Sequence, residues 1–363
     1  MKNYDVAAYI WPAYTGDEPR TRMFWPEGYG EWQTVKAAKK IYDEHIWPRK
    51  PVWGYVNEAD PYVMEMEIEA AAAHEVNVFI YDWYWFDNRP FLEQCLDNGY
   101  LRARNNDKVK FYLMWANHTA ESQWHMETST SFTPIWDGAV DRKTFEHIVH
   151  RTIDKYFKHP SYYKIDGKPV YMLFDTENLV RGLGGVKETL DALQYFRDET
   201  VKAGFPGLEL HLTIRSPKYR SRMLDDKTSI LDFINMAHFD GVTHYNFFDY
   251  AKMNRTYTEV LEDVKAEWEK VIGEHKIPYC THVSIGWDNN PRYLSYIDNV
   301  TKNNTPENFE KVLRAAKEFS EKTGNRLITV NSWNEWTETS YLEPDELNGY
   351  GYLEAVKRVF IDE

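Results

Sequence analysis

The sequence predicts an α/β fold, a single (β/α)8 TIM barrel with long loops at its C-terminal face. Three observations carry this: eight strand-like runs, helical patterns between most of them, and surplus residues that follow strands. The runs cover residues 5–14, 76–86, 109–118, 169–176, 208–216, 241–248, 279–287 and 326–333. Several, such as VNVFIYDWYWF and VKFYLMWANH, are nearly continuous apolar and aromatic segments. Strands covered on both faces read this way.

The intervening helices carry their own punctuation. Asp60-Pro61 opens DPYVMEMEIEAAAAHEV with a capping residue and a proline at the first helical position, and Thr305-Pro306 repeats the signal. Gly204 and Gly324 fit helix stops. The second and fifth crossovers, near 91–101 and 217–234, carry no clear helical pattern. A barrel takes about 250 residues, leaving a surplus of about 110. Most of it falls in 15–59, 119–140 and 288–304, after strands 1, 3 and 7, on the face where barrel sites form. No linker or repeat divides the chain, so residues 1–363 are expected to form a single (β/α)8 domain with its site on that face.

Composition narrows the partners. Acidic residues outnumber basic ones 57 to 43, for a net charge of −14, and no basic stripe exists. Nucleic acid and anionic membranes are therefore not expected as partners, and oligomeric state is left open. Cys95 and Cys280 stand alone, as two buried reduced thiols rather than a disulfide framework or zinc site. The first residues show neither an apolar signal core nor a cleavage site. The chain as it stands is thus expected to be cytoplasmic, and periplasmic or secreted if it is a processed form.

Aromatic residues make up 16% of the chain, and many sit at predicted strand ends. Tyr9 and Trp11 end strand 1; Asp82 and Trp85 end strand 2; Trp115, Asn117 and His118 end strand 3. Asp175 and Arg215 end strands 4 and 5, and Tyr245 lies in strand 6. Trp287 and Asp288 end strand 7, and Trp333 opens the last rim. A pyranose has a C–H face that lies against an indole and an edge of hydroxyls that carboxylates and amides bind. Aromatic walls with a few polar groups suit it, so these residues, Asp175 and Arg215 apart, are candidate contacts to an oligo- or polysaccharide.

Glu335 and Glu338 are the sharpest pair. Spaced i,i+3 just past strand 8, they can project to one side of a tight turn. Glycoside hydrolysis needs two carboxyls, one protonated for the leaving oxygen and one ionised. Burial among Trp333 and Trp336 is expected to raise one of them and divide the roles. His147 and His150 read as surface histidines on a charged helix. The chain lacks HExxH, an EF-hand loop, a P-loop, a dinucleotide fingerprint and a G-x-S-x-G elbow. No cofactor or metal is expected.

At these residues the chain resembles a family. Trp333-Asn334-Glu335-Trp336-Thr337-Glu338, with Tyr341-Leu342-Glu343-Pro344-Asp345 and Gly349-Tyr350, is similar to the C-terminal signature of the WbsX-like proteins. These in turn are similar to glycoside hydrolase family 99, the endo-α-mannosidases and endomannanases. Further matches are Trp83-Tyr84-Trp85-Phe86, Trp115-Ala116-Asn117, Ile165-Asp166-Gly167-Lys168-Pro169-Val170, Gly286-Trp287-Asp288-Asn289-Asn290-Pro291-Arg292 and the stretch from Phe24-Trp25 to Glu31-Trp32. The resemblance implies a (β/α)8 barrel and retaining hydrolysis without metal. It implies Glu335 as base on the sugar's own 2-hydroxyl and Glu338 as acid/base. Three positions depart from the pattern: Thr337 where the endo-mannosidases have His, Thr339 where Gly is usual, and His118-Thr119-Ala120-Glu121 in place of a Glu-Asn-Trp-Thr run.

Two other readings compete with a hydrolase. The WbsX label originally denoted a glycosyltransferase of surface-polysaccharide synthesis, but nucleotide-sugar transferases often use an Asp-x-Asp site and a glycine fingerprint. This chain has neither. A non-catalytic carbohydrate-binding barrel gives no reason for the paired glutamates.

Overall fold

The computed structural model describes residues 4–16, 18–125, 127 and 131–361. Eight parallel strands form the wall: β1 (Asp5–Ile10), β2 (Val78–Phe86), β3 (Lys110–Trp115), β4 (Lys168–Leu173), β5 (Glu209–Thr213), β6 (Gly241–Thr243), β7 (Thr281–Ser284) and β8 (Leu327–Asn331). Seven fall inside the predicted runs, and β4 starts one residue before its run of 169–176. Neighbours pair in order from β1 to β6, and β8 pairs with both β1 and β7. A parallel bridge between Val242 and Tyr279 closes the ring between β6 and β7, where Cys280 N–H donates to the Val242 carbonyl at 2.8 Å.

Register decides which side chains enter the barrel. Asp82 lies beside Met114 and Trp83 beside Trp115. Successive side chains alternate between faces, so Asp82 and Tyr84 point inward with Met114 and Ala116. Trp83, Trp85 and Trp115 point toward the helices.

The helices follow their sequence signals. Those used below are α1 (Trp32–Ala37), α2 (Pro61–Ala73), α3 (Arg142–Thr152), α4 (Thr176–Leu183), α5 (Val186–Lys202), α6 (Pro217–Arg220), α7 (Ile230–Met236), α8 (Tyr257–Glu274) and α9 (Pro306–Thr323). Asp60 accepts from Tyr62 N–H to cap α2, Thr305 accepts from Asn308 N–H to cap α9, and Gly324 ends α9 in the left-handed region. The second crossover holds only short turns at Cys95–Gly99 and Tyr100–Arg102, and the fifth only α6 and α7. That matches the weak helical pattern there. Both cysteines are buried and free, and His147 and His150 are exposed. Among the described residues no helix is long and apolar enough to cross a membrane.

Candidate functional site

The strand ends surround a cavity of about 570 Å³ at the C-terminal mouth. Of the predicted contacts, Trp11, Asp82, His118, Tyr245 and Trp287 line it, together with Glu335 and Glu338. The glutamates sit where β8 gives way to a single tight turn, Trp336–Glu338. Ser332 Oγ accepts from Glu335 N–H at 2.7 Å, and Asp288 N–H donates to the Glu338 carbonyl at 2.8 Å. The turn is thereby tied to its own strand and to the loop after β7.

Arg292, from that β7 loop, bridges the pair. Its Nη1 donates to Glu338 Oε1 at 2.8 Å, its Nη2 lies 3.4 Å from Glu335 Oε2, and its Nε donates to Glu31 Oε1 at 3.0 Å. Glu31 also accepts from Trp11 Nε1. On the other side, Tyr245 donates to Asp82 Oδ2 at 2.9 Å and lies 3.3 Å from Glu335 Oε1. Glu338 Oε2 is buried without a protein partner, as is Asp82 Oδ1.

Burial raises both glutamate carboxyls, and their mutual repulsion adds to the rise of Glu335. Arg292 offsets part of each rise, and its short bond is to Glu338. Asp82 is raised well above the carboxylate range, again by burial first. His118 is pushed down by burial, and its Nδ1 lies 2.9 Å from the Thr119 carbonyl. The cavity thus holds two buried carboxyls whose repulsion disfavours ionising both, with aromatic groups on several sides.

Six predicted contacts lie elsewhere. Trp115 faces outward, against Trp83 at 6.4 Å and Phe145 of α3 at 6.2 Å. It follows the parity that puts Asp82 inside, so the expected convergence of Trp115 with Glu335 does not occur. Trp85, on the same outer face, lines a separate shallow cavity with Asn88 and Trp136. Trp333 is fully buried behind the wall, donating to Glu67 at 3.0 Å. Trp336 stacks on Tyr341 with centroids 3.9 Å apart. The expectation that these two tryptophans wall the glutamates is therefore corrected: Tyr245, Trp11 and Arg292 surround the pair instead.

The remaining three support the cavity from beneath or behind. Tyr9 is buried in the barrel, its ring 4.8 Å from that of Tyr245, and donates to the His244 carbonyl at 3.2 Å. Asn117 clasps the end of β4, accepting from Asp175 N–H at 2.7 Å and donating to the Asp175 carbonyl at 2.8 Å. Asp288 organises the Arg292 loop, accepting from Asn290 Nδ2 at 2.8 Å and lying 3.0 Å from His45 Nε2. Being short polar groups, Asn117 and Asp288 satisfy local backbone before they can reach a ligand.

Several lining residues went unassigned in the sequence reading. Tyr84, two residues beyond Asp82, shares its face and enters the cavity by the same register. Trp124 comes from the 119–140 insertion and stacks on Phe91 with centroids 6.4 Å apart. Phe248 lies flat on Trp287 at 4.4 Å and 6°. Arg292 stood in a quoted motif, yet its charge acquires a role only through Glu31, Glu335 and Glu338. Thr339, in the place of a usual glycine, adopts φ 56°. That region is costly for a β-branched residue. Its hydroxyl donates to the Asp288 carbonyl at 2.9 Å and accepts from Trp47 Nε1 at 3.2 Å, which offsets the cost.

Eight parallel strands closed into a ring, with two buried glutamates at its C-terminal mouth, define a (β/α)8 barrel of glycosidase-like fold. The chain belongs to the Glycosyltransferase WbsX family, whose model matches residues 6–356. It is 23% identical over 354 residues to a protein of Xanthomonas campestris pv. campestris named Uncharacterized protein WxcX, covering 94% of this chain and 47% of that one. The chain thus spans about half the length of the curated relatives it matches. In fold it is similar to the GH99 endo-alpha-mannosidase from Bacteroides thetaiotaomicron, with a TM-score of 0.62, 15% identity, and 100% and 97% of the two chains covered. A glycoside hydrolase-like protein superposes with a TM-score of 0.65 and 16% identity over 99% and 94%. The beta-glucosidase from Thermotoga maritima gives 0.51 and 11% over 98% of each. At these identities the likeness establishes the fold.

Proposed function

We propose that the protein is a glycoside hydrolase that cleaves a 1,2-trans glycosidic linkage, α-mannoside-like or related, in an oligo- or polysaccharide. The observation that carries this reading is the Glu335–Glu338 pair, both carboxyls buried at the cavity and bridged by one guanidinium. Retaining enzymes of the ordinary kind set two carboxyls about 5–5.5 Å apart on opposite faces of the sugar, one of them attacking the anomeric carbon. Two glutamates on one turn suit a different division of labour. Glu335 removes the proton of the 2-hydroxyl, and that oxygen attacks C1 as the bond to the leaving oxygen breaks. Glu338 gives its proton to the leaving oxygen. Water then opens the 1,2-anhydro sugar at C1, losing its proton to Glu338, while Glu335 returns a proton to O2. The aromatic groups Trp11, Tyr84 and Trp287 supply stacking faces, and Asp82, His118 and Tyr245 supply hydrogen bonds.

One observation favours a second assignment within the same chemistry. Arg292 makes its short bond to Glu338, so of the two carboxyls Glu335 is the one more favourably protonated. The first assignment needs bound sugar to reverse that order; the second makes Glu335 the acid. The family's name favours a transferase, whereas the absence of an Asp-x-Asp pair in the sequence favours hydrolysis. The test is incubation with α-mannans and other bacterial and plant polysaccharides, with product sizing and NMR of the first-formed anomer. Retention, and resistance of the matching 2-deoxy glycoside, are expected. An inverted product rejects the anhydro route, and consumption of a sugar nucleotide without hydrolysis rejects the hydrolase.

A further inference from the structure

Behind the turn lie three more carboxyls. Glu58 precedes α2, Glu67 is on the buried face of α2, and Glu343 follows the Ser340–Tyr341 strand. One oxygen from each lies within 4.8 Å of the other two, and all three side chains are buried. Each grips a different residue of the segment that carries Glu335. Glu67 accepts from Trp333 Nε1 at 3.0 Å, Glu58 accepts from Asn334 Nδ2 at 2.9 Å, and Glu343 accepts from Trp336 Nε1. Asn334 is also clasped to the backbone of Trp11, at 2.8 Å and 2.9 Å. None of the three glutamates has an ion-pair partner among the described residues.

Three buried carboxylates this close, with no basic side chain paired to them among the described residues, cannot all be charged unless a cation joins them. We propose that Glu58, Glu67 and Glu343 form one proton-sharing carboxyl cluster that positions Glu335 by holding Trp333, Asn334 and Trp336 from behind. The proposal rests on the glycosidase reading only in that Glu335 is the group worth placing.

The surroundings fit a protonated cluster. The titratable groups facing it are Cys95, whose thiol lies 3.4 Å from Glu58 Oε2, and Tyr81 and Tyr14. All are neutral at ordinary pH, and burial pushes the three carboxyls up, Glu343 to about 8. Glu67 Oε1 has no hydrogen-bond partner, which leaves room for a shared proton. The other occupant with suitable chemistry is a divalent cation. It is disfavoured because Asn334, Trp333 and Trp336 already aim N–H groups at the same carboxylates.

The experiment is a pH titration of the whole protein carrying 13C at the glutamate carboxyls, with resonances assigned through Glu58→Gln, Glu67→Gln, Glu343→Gln and Glu335→Gln. Expected are cluster resonances that move together, with a step above the ordinary glutamate range. Glu343→Leu, which removes the acceptor for Trp336, is expected to displace the Glu335 midpoint by about one pH unit or more. Glu343→Gln, which keeps an acceptor, leaves it in place. Trp336→Phe removes the same bond from the other side and stands in if the leucine variant does not fold. Three independent titrations in the ordinary range overturn the cluster, and an unmoved Glu335 midpoint overturns the positioning. A melting temperature raised by Zn2+, Mn2+ or Ca2+ and lowered by EDTA, with both effects lost in Glu67→Gln, replaces the cluster by a metal site. Glycan cleavage is measured separately: a wild type that cleaves nothing rejects the glycosidase reading, and the titration still decides the cluster.

Discussion

Arg292 donates to Glu338 at 2.8 Å, so one cation reached from the β7 loop sets the charge of a carboxyl on the β8 turn. The same guanidinium meets Glu31 and Glu335. Replacing it with methionine leaves three buried acids without their cation, and breaking a buried pair in this way costs about 3–5 kcal/mol. Arg292→Met is expected to lower urea-unfolding stability by that order and to abolish activity. A change within about 0.5 kcal/mol would show that Arg292 is not the centre of this network.

The two carboxyls separate by leaving group. If Glu338 is the acid, Glu338→Gln loses on the order of 10²–10⁴ in rate on natural glycosides and much less on activated aryl glycosides. Glu335→Gln then fails on both. The opposite pattern assigns the acid to Glu335, and equal losses in both variants mean that neither protonates the leaving oxygen.

Stability and pH are linked through the raised carboxyls. A carboxyl raised by folding contributes stability that is full below its unfolded value and lost as pH climbs through the folded one. Glu335 is such a group, raised first by burial. Glu335→Gln cannot ionise, so its melting temperature is expected to rise relative to wild type as pH climbs above the ordinary glutamate value. A difference that stays flat or runs the other way would show that the Glu335 carboxyl is ionised in the folded protein.

The tryptophans fall into two groups by face. Trp115→Ala, which empties a position against Phe145 and Trp83, is expected to cost about 3–5 kcal/mol of stability while leaving oligosaccharide affinity unchanged. Trp287→Ala, which removes a lining group stacked on Phe248, is expected to weaken that affinity with a smaller stability loss. Isothermal titration alongside urea unfolding separates the two. Loss of affinity in Trp115→Ala would mean that the outer face communicates with the cavity.

What the sequence determined by itself was local or repetitive. Eight apolar runs, the caps at Asp60 and Thr305, the stop at Gly324 and the weak second and fifth crossovers all appear in the fold because each depends on neighbours a few residues away. The Glu335–Glu338 spacing was legible for the same reason. Only the tertiary structure decided which strand-end residues enter the cavity. Strands covered on both faces lack the polar alternation that would mark the inside, so Asp82 and Tyr84 could not be told from Trp83, Trp85 and Trp115 until Asp82 was registered against Met114. Charge was equally nonlocal: Arg292 meets Glu31 across 261 residues, and Trp333 meets Glu67 across 266. Such contacts depend on ring closure, which brings the loops after β1, β7 and β8 together and which no local pattern in the chain encodes.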